Sequence, residues 1–153
     1  MTQWLPGMRI TAARLNDQAG LWTSYTPTWA ATGGGGVLGT GGVIAGSWTR
    51  IGRSITARVA LTFGTGANAG SGFWTFTLPV AAAAVATGQA GLGIGMATNA
   101  GVAINLGVAY VSGGATDVSV FSDGAGAPWG ANRPFTWGIG DNVTILAVYE
   151  AAT

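Results

Sequence analysis

The sequence contains no cysteine, no histidine and no lysine, so it lacks the side chains on which most catalytic and metal sites depend. Zinc sites built from cysteine or histidine, catalytic triads, lysine Schiff bases, phosphate-binding lysines and disulfides are therefore excluded. Six arginines oppose five acidic residues, and a net charge of +1 predicts neither a nucleic-acid partner nor an anionic membrane partner. We expect no enzymatic activity, no metal and no cofactor.

Charge is also scarce along the chain. Charged residues make up 7% of the 153 residues, against about 25% in an average protein, and 58 consecutive uncharged residues separate Arg58 from Asp117. Because a lone chain in water normally scatters charge over its surface, we expect a homo-oligomer or another protein to cover part of this one. A surface hydrated by threonine, serine, asparagine and glycine amides remains the alternative.

Long hydrophobic runs are missing too. The most apolar window, residues 78–97, contains Pro79 and glycines at 88, 91, 93 and 95, which excludes a membrane-spanning helix and predicts no membrane insertion. The first residues show no charged segment followed by an apolar one, so we expect no signal peptide and synthesis in the cytoplasm.

Residues 1–24 are predicted to form an N-terminal arm with one short α-helix. Thr11 is a good N-cap and Gly20 a good stop, while Ile10 and Leu15 occupy positions where they can pack across the first turn. A helix of about eight or nine residues is not stable alone in water, so it must dock on something. The candidate attachment or oligomerisation residues are Trp4, Leu5, Pro6, Ile10, Leu15 and Trp22.

Residues 25–153 are predicted to form an all-β domain. From Ser54 to Phe63, apolar and polar residues alternate with period two, as in a half-buried antiparallel strand. The predicted strands are Val43–Ile51, Ser54–Phe63, Phe73–Leu78, Gly91–Ala97, Ala103–Val111, Asp117–Ser122 and Asn142–Glu150. Short strands with frequent turn signals favour an antiparallel β-sandwich or jelly-roll-like body.

Seven tryptophans are an excess, and we expect most of their rings to fill a core or a subunit contact. In the predicted strand that begins at Phe73, Trp74 and Phe76 share one face. The exception is the loop 128–134, where Trp129, Asn132 and Arg133 could converge on a glycan. The five acidic residues are better explained as turn and strand-end residues than as a glycosidase pair.

Several segments carry a resemblance to a known group of proteins. They are Trp4-Leu-Pro-Gly7, Thr11-Ala-Ala-Arg-Leu-Asn16, Tyr25-Thr-Pro-Thr-Trp29, Gly46-Ser-Trp48-Thr-Arg-Ile-Gly52-Arg-Ser-Ile55, Leu61-Thr-Phe-Gly64, Trp74-Thr-Phe-Thr-Leu-Pro-Val80 and Pro134-Phe-Thr-Trp137. In this order they resemble small virion proteins of tailed phages of actinobacteria, which are minor tail proteins, short fibres or decoration proteins. The resemblance covers nearly the whole chain, although its motifs are structural. It implies a β-rich, often trimeric module whose N-terminal segment attaches to the particle, and it brings no catalytic residues.

The expected function is therefore that of a non-enzymatic structural component of a phage virion, with other virion proteins as partners. The alternative is a receptor-binding or carbohydrate-binding module for host cell-wall glycans, which the tryptophan excess and the loop around Trp129 favour. An enzyme such as a depolymerase is disfavoured by the residue inventory.

Overall fold

The computed structural model describes residues 7–9, 11–12, 20–100, 102–122 and 126–152. All eleven secondary-structure elements with defined ends in this part of the chain are β-strands. The strands are β1 (Thr23–Tyr25), β2 (Trp29–Ala31), β3 (Gly36–Val37), β4 (Val43–Ile51), β5 (Ser54–Thr62), β6 (Asn68–Ala69), β7 (Trp74–Thr77), β8 (Gln89–Asn99), β9 (Ala103–Ser112), β10 (Asp117–Ser122) and β11 (Asn142–Glu150).

Nine strands form one antiparallel sheet in the order β1-β4-β5-β11-β8-β9-β10-β7-β2, and β3 pairs with β6 in a separate ribbon. β1 and β2 lie at opposite ends of this order, yet only residues 26–28 connect them. The sheet must therefore curl until its two ends meet. A hydrogen bond confirms the approach, since the Tyr25 hydroxyl in β1 donates to the backbone oxygen of Thr77 in β7 at 3.3 Å.

The curled sheet encloses one hydrophobic core. In β5, Ile55, Val59 and Leu61 point inward and are at most 1% exposed, while Arg58 and Thr62 point outward and are exposed. This is the alternation that the sequence predicts, because successive side chains of a strand point to opposite faces. β11 pairs with β5 on one side and β8 on the other, so the core continues from one half of the sheet to the other through β11.

Aromatic rings fill one end of the core. The ring centroid of Trp74 lies 4.5 Å from that of Trp137, 5.3 Å from that of Trp29 and 5.7 Å from that of Phe63. The Trp74 indole N–H donates to the backbone oxygen of Ala69 at 2.9 Å, so its polar atom is satisfied within the core. These three tryptophans have the packing role predicted for most of the rings.

The prediction of an all-β, antiparallel fold is confirmed. The bounds of β4, β10 and β11 are those predicted, and the other four predicted strands overlap β5, β7, β8 and β9. The more specific prediction of a β-sandwich or jelly roll is not confirmed, because nine strands form one continuous hydrogen-bonded sheet. Because only residues 26–28 join the two ends of this sheet, the sheet is curled.

The structure tests only part of the predictions for residues 1–24, because most of these residues lie outside the described ranges. The short α-helix expected after Thr11 is not among the elements of the described residues, and residues 13–19 of its span lie outside them. β1 begins at Thr23, inside the predicted arm, and pairs with Trp48 of β4. The last residues of the predicted arm are thus hydrogen-bonded to the body.

Candidate functional site

Of the six predicted attachment residues, only Trp22 can be placed. Trp4, Leu5, Pro6, Ile10 and Leu15 lie outside the described residues. Trp22 is 56% exposed and its neighbour Leu21 is 63% exposed, immediately before the edge strand β1. Two large apolar side chains therefore stand in solvent where the arm meets the sheet.

Gly20 fixes the path of the chain at this junction. It has a φ of +68°, in the left-handed region that favours glycine. A Cβ atom at this position would lie 2.8 Å from Oγ1 of Thr49 and 3.0 Å from Cγ1 of Ile51. Gly20 thus lies close to β4, and the chain turns there, just before Leu21 and Trp22.

Trp129 is a core residue, which corrects the prediction that its ring is available to a ligand. It is fully buried at 0% exposure, and its indole N–H donates to Oγ of Ser122 at 3.0 Å. Its backbone lies between β10 and β7: its N–H donates to Val120 at 2.6 Å, and its carbonyl accepts from Trp74 at 2.8 Å. These bonds turn the ring into the core, where it cannot stack on a sugar.

Glycines make room for this ring. In β8 and β9, Gly95 and Gly107 point inward beneath Trp129. A Cβ at Gly107 would lie 2.8 Å from Cζ2 of the indole, and one at Gly95 would lie 3.2 Å from its Cη2. Both distances are closer than ordinary packing, so only glycine fits under the ring without displacement.

Asn132 and Arg133 do lie together, at a surface depression of about 370 Å³. Ser71 and Phe73 also line the depression, and Phe73 is 47% exposed. Backbone contacts join the two segments that line it, including a hydrogen bond from the Ala131 N–H to the carbonyl of Gly72 at 3.3 Å. The accessible aromatic ring at this place is that of Phe73, which the sequence pattern assigned to a strand.

Two of the three acidic residues that can be placed, Asp141 and Glu150, have structural partners. The buried carboxylate of Asp141 accepts hydrogen bonds from the backbone N–H of Ala100 at 2.8 Å and of Gly138 at 2.6 Å. Glu150 forms an ion pair with Arg53 at 2.9 Å. Within the described ranges, no three acidic, histidine or cysteine side chains are grouped in a way that could hold a metal ion. The same part of the chain has no helix of the length and apolar character that crossing a membrane requires.

A surface that the sequence predictions did not locate lies on the outside of β8, β9 and β11, and β8 and β9 belong to the uncharged stretch between Arg58 and Asp117. Eight apolar side chains point outward there and are 36% to 66% exposed. We name this surface the apolar face; it consists of Leu92, Ile94, Met96, Ile104, Leu106, Val108, Leu146 and Val148.

The strand register makes the apolar face continuous. Leu146 of β11 is the partner of Ile94 in β8, and Ile94 is the partner of Val108 in β9. Directly paired residues share a face of the sheet, so these three form one row across three strands. The available signal was the alternation of glycine with Leu92, Ile94 and Met96, which separates small from large residues but does not say which set faces the core.

Comparisons with protein-family models, with curated proteins and with solved structures found no match to the chain.

Proposed function

We propose that the protein is a non-enzymatic structural component of a phage virion, a minor tail protein, short fibre or capsid decoration protein, made in the host cytoplasm. In this role the N-terminal arm attaches the chain to other virion proteins. The curled sheet is the outward body, packed as a sandwich-like or jelly-roll-like unit and assembled as a homo-oligomer, which we propose to be a trimer.

The observation that carries the attachment role is the exposed pair Leu21 and Trp22. They stand 63% and 56% exposed beside an edge strand, while the body behind them has a complete core. Burying an aromatic or aliphatic anchor of this kind at an interface contributes about 2 kcal/mol or more. The residue inventory, without histidine, lysine or cysteine, supports assembly rather than catalysis. The resemblance of the chain to small virion proteins supports the particle as the partner.

Incorporation into particles tests this role. Trp22→Ala should reduce the copy number of the protein on purified phage particles, as counted by quantitative mass spectrometry. Deleting residues 1–20 should abolish incorporation while leaving β1 in place to pair with β4. Circular dichroism of the purified variants checks that the body still folds.

Val102→Ala is the control, because Val102 is an apolar residue that is 81% exposed and lies in the turn between β8 and β9. It should leave the copy number unchanged. Wild-type copy numbers for both the deletion and Trp22→Ala would refute attachment through the arm.

The depression beside Phe73 favours a second candidate function, the binding of host cell-wall glycans. Sugars stack on exposed aromatic faces and take hydrogen bonds from amide and guanidinium groups. Phe73, Asn132 and Arg133 supply these three kinds of group around the depression. In this proposal Phe73 takes the stacking role first assigned to Trp129.

Retention on host cell-wall polysaccharide tests the glycan role. Phe73→Ala should lower retention, whereas Ile139→Ala, at a 64% exposed apolar residue outside the depression, should not. Equal retention of wild type and Phe73→Ala would remove the depression from consideration. Release of reducing ends by the wild-type protein would contradict the non-enzymatic role.

A further inference from the structure

The apolar face is larger than a monomer in water normally exposes. The exposed fractions of its eight side chains together equal about four fully exposed residues. This corresponds to an area on the order of 700 Å², whereas the largest apolar patch of a typical monomer covers about 300–600 Å². A partner should therefore cover the apolar face.

The placement of large and small residues in β8 also favours a partner that covers the apolar face. This strand places Leu92, Ile94 and Met96 outward and Gly91, Gly93 and Gly95 inward. Glycine weakens a strand, because it loses more backbone entropy on folding and has no side chain to pack. A strand that keeps its large residues outside gains their burial only when a second surface packs on them.

Charge narrows the choice of partner. β8 and β9 contain no charged residue, and in β11 the only one is Glu150 at its end. Arg58 of β5, the register partner of Leu146, is the charged residue that the strand register places beside the middle of the apolar face. The apolar face therefore offers nothing to an acidic or basic partner, and it lacks the basic residues that hold a protein on an anionic lipid surface.

A second copy of this chain meets these requirements. It brings an uncharged apolar surface of the same size, and the area on the order of 700 Å² is close to the about 800 Å² that each partner buries in a stable protein interface. We propose that the apolar face of each copy packs against the apolar faces of the other copies in the homo-oligomer. Arg58 then lies at the polar rim, as is usual for charged residues at interfaces.

This inference identifies the contact between copies, and it rests on the proposed function in that the protein forms a homo-oligomer. Its test uses the purified protein alone, whereas the attachment role is decided on particles. Failure of one is therefore distinguishable from failure of the other.

The first test compares two identical substitutions. Val108 lies in the central row of the apolar face and is 51% exposed, while Val43 lies on the outside of β4 and is 58% exposed. By multi-angle light scattering over a dilution series, we expect the wild type and Val43→Glu to have a mass of two or more chains of 15.2 kDa. Val108→Glu should dissociate at concentrations about tenfold higher or more, because its carboxylate would be buried in the contact.

Two results would overturn the proposal. One is a wild-type protein that stays monomeric at every concentration. A partner other than a second copy would then cover the apolar face. The other is a Val108→Glu protein that associates as strongly as Val43→Glu.

Two variants with one cysteine each test the contact if Val108→Glu fails to fold. The natural chain has no cysteine, so Val108→Cys and Val43→Cys each carry a single thiol. A short bismaleimide should join two Val108→Cys chains efficiently and join Val43→Cys chains several-fold less. Equal cross-linking of the two variants would contradict the proposed contact.

Discussion

The β4–β5 and β8–β9 hairpins are long antiparallel pairs in the same sheet, yet they use their two faces in opposite ways. β5 buries Ile55, Val59 and Leu61 and exposes polar residues. β8 instead exposes Leu92 and Ile94 and turns glycines toward the core. β5 thus buries its large apolar side chains when the chain folds, whereas β8 leaves its own exposed.

The difference teaches that period-two alternation identifies which residues share a face but not which face is the inner one. In β5 the large residues face the core. In β8 and β9, Gly95 and Gly107 leave room for the Trp129 ring, whereas a Cβ at Gly91 or Gly93 would meet the backbone of β11. The large residues of β8 lie outside, where they form part of the apolar face.

The largest loss of stability is expected from removing the Trp129 ring. Trp129→Ala should lower the free energy of unfolding by about 4 kcal/mol, because the cavity opens above two glycines that have no side chains with which to fill it. Trp48→Ala is the control in the other hairpin, where the ring is only partly buried. In chemical denaturation, Trp48→Ala should lower the free energy of unfolding clearly less than Trp129→Ala does. Equal losses would contradict the special role of Trp129.

A smaller effect is expected from filling the space under the ring. Gly107→Val should cost about 3 kcal/mol, because its Cβ would meet Trp129 at 2.8 Å and the Phe121 backbone oxygen at 2.6 Å. Thr62→Val also ends in a valine, but on the exposed outside of β5, and it should change stability by no more than about 0.5 kcal/mol. A neutral Gly107→Val, measured in the same way, would show that the β8–β9 half tolerates large residues inside.

The smallest effect concerns Tyr149, which lies between the two hairpins as the register partner of Ile55 and of Gly91. Its hydroxyl donates to the backbone oxygen of Val80 at 2.8 Å. Tyr149→Phe leaves that carbonyl without this partner and should lower stability near neutral pH by about 1 kcal/mol.

Tyr149 also makes stability depend on alkaline pH. Burial raises the pKa of its hydroxyl to about 12, above the usual value of about 10. Since the folded-state pKa is the higher one, the contribution of the neutral hydroxyl is fully present below about pH 10 and is lost as the pH rises toward about 12. Stability measured against pH should fall less steeply in this window for Tyr149→Phe, and identical curves would contradict the assignment.

The strands were largely predictable because their signals are local. Ser54–Thr62 alternates apolar and polar residues, and Gly52 marks the turn that separates it from Val43–Ile51, so these two strands follow from period and punctuation. Trp74 and Phe76 were expected on one face of their strand, and both are buried. The curl of the sheet was not predictable from local signals, because it depends on strand pairings that are distant in sequence.

The candidate site was less predictable for the same reason. The loop around Trp129 contains proline and glycine, which signals a surface turn, and nothing local reveals that the backbone bonds to β10 and β7 rotate its ring inward. Asn132 and Arg133 do reach a surface depression, but their aromatic neighbour there is Phe73, about 60 residues earlier in the chain. Only the fold brings these side chains together.

The position of β11 has a consequence for the order of events during synthesis. β11 is the last strand in the chain, yet it lies in the interior of the sheet and joins β5 to β8. Until the ribosome has released Asn142–Glu150, the emerging chain carries two unpaired strand borders flanking the gap that β11 will fill. We therefore expect the body to become resistant to protease only after β11 has left the ribosome, when the borders of β5 and β8 are no longer open to neighbouring nascent chains.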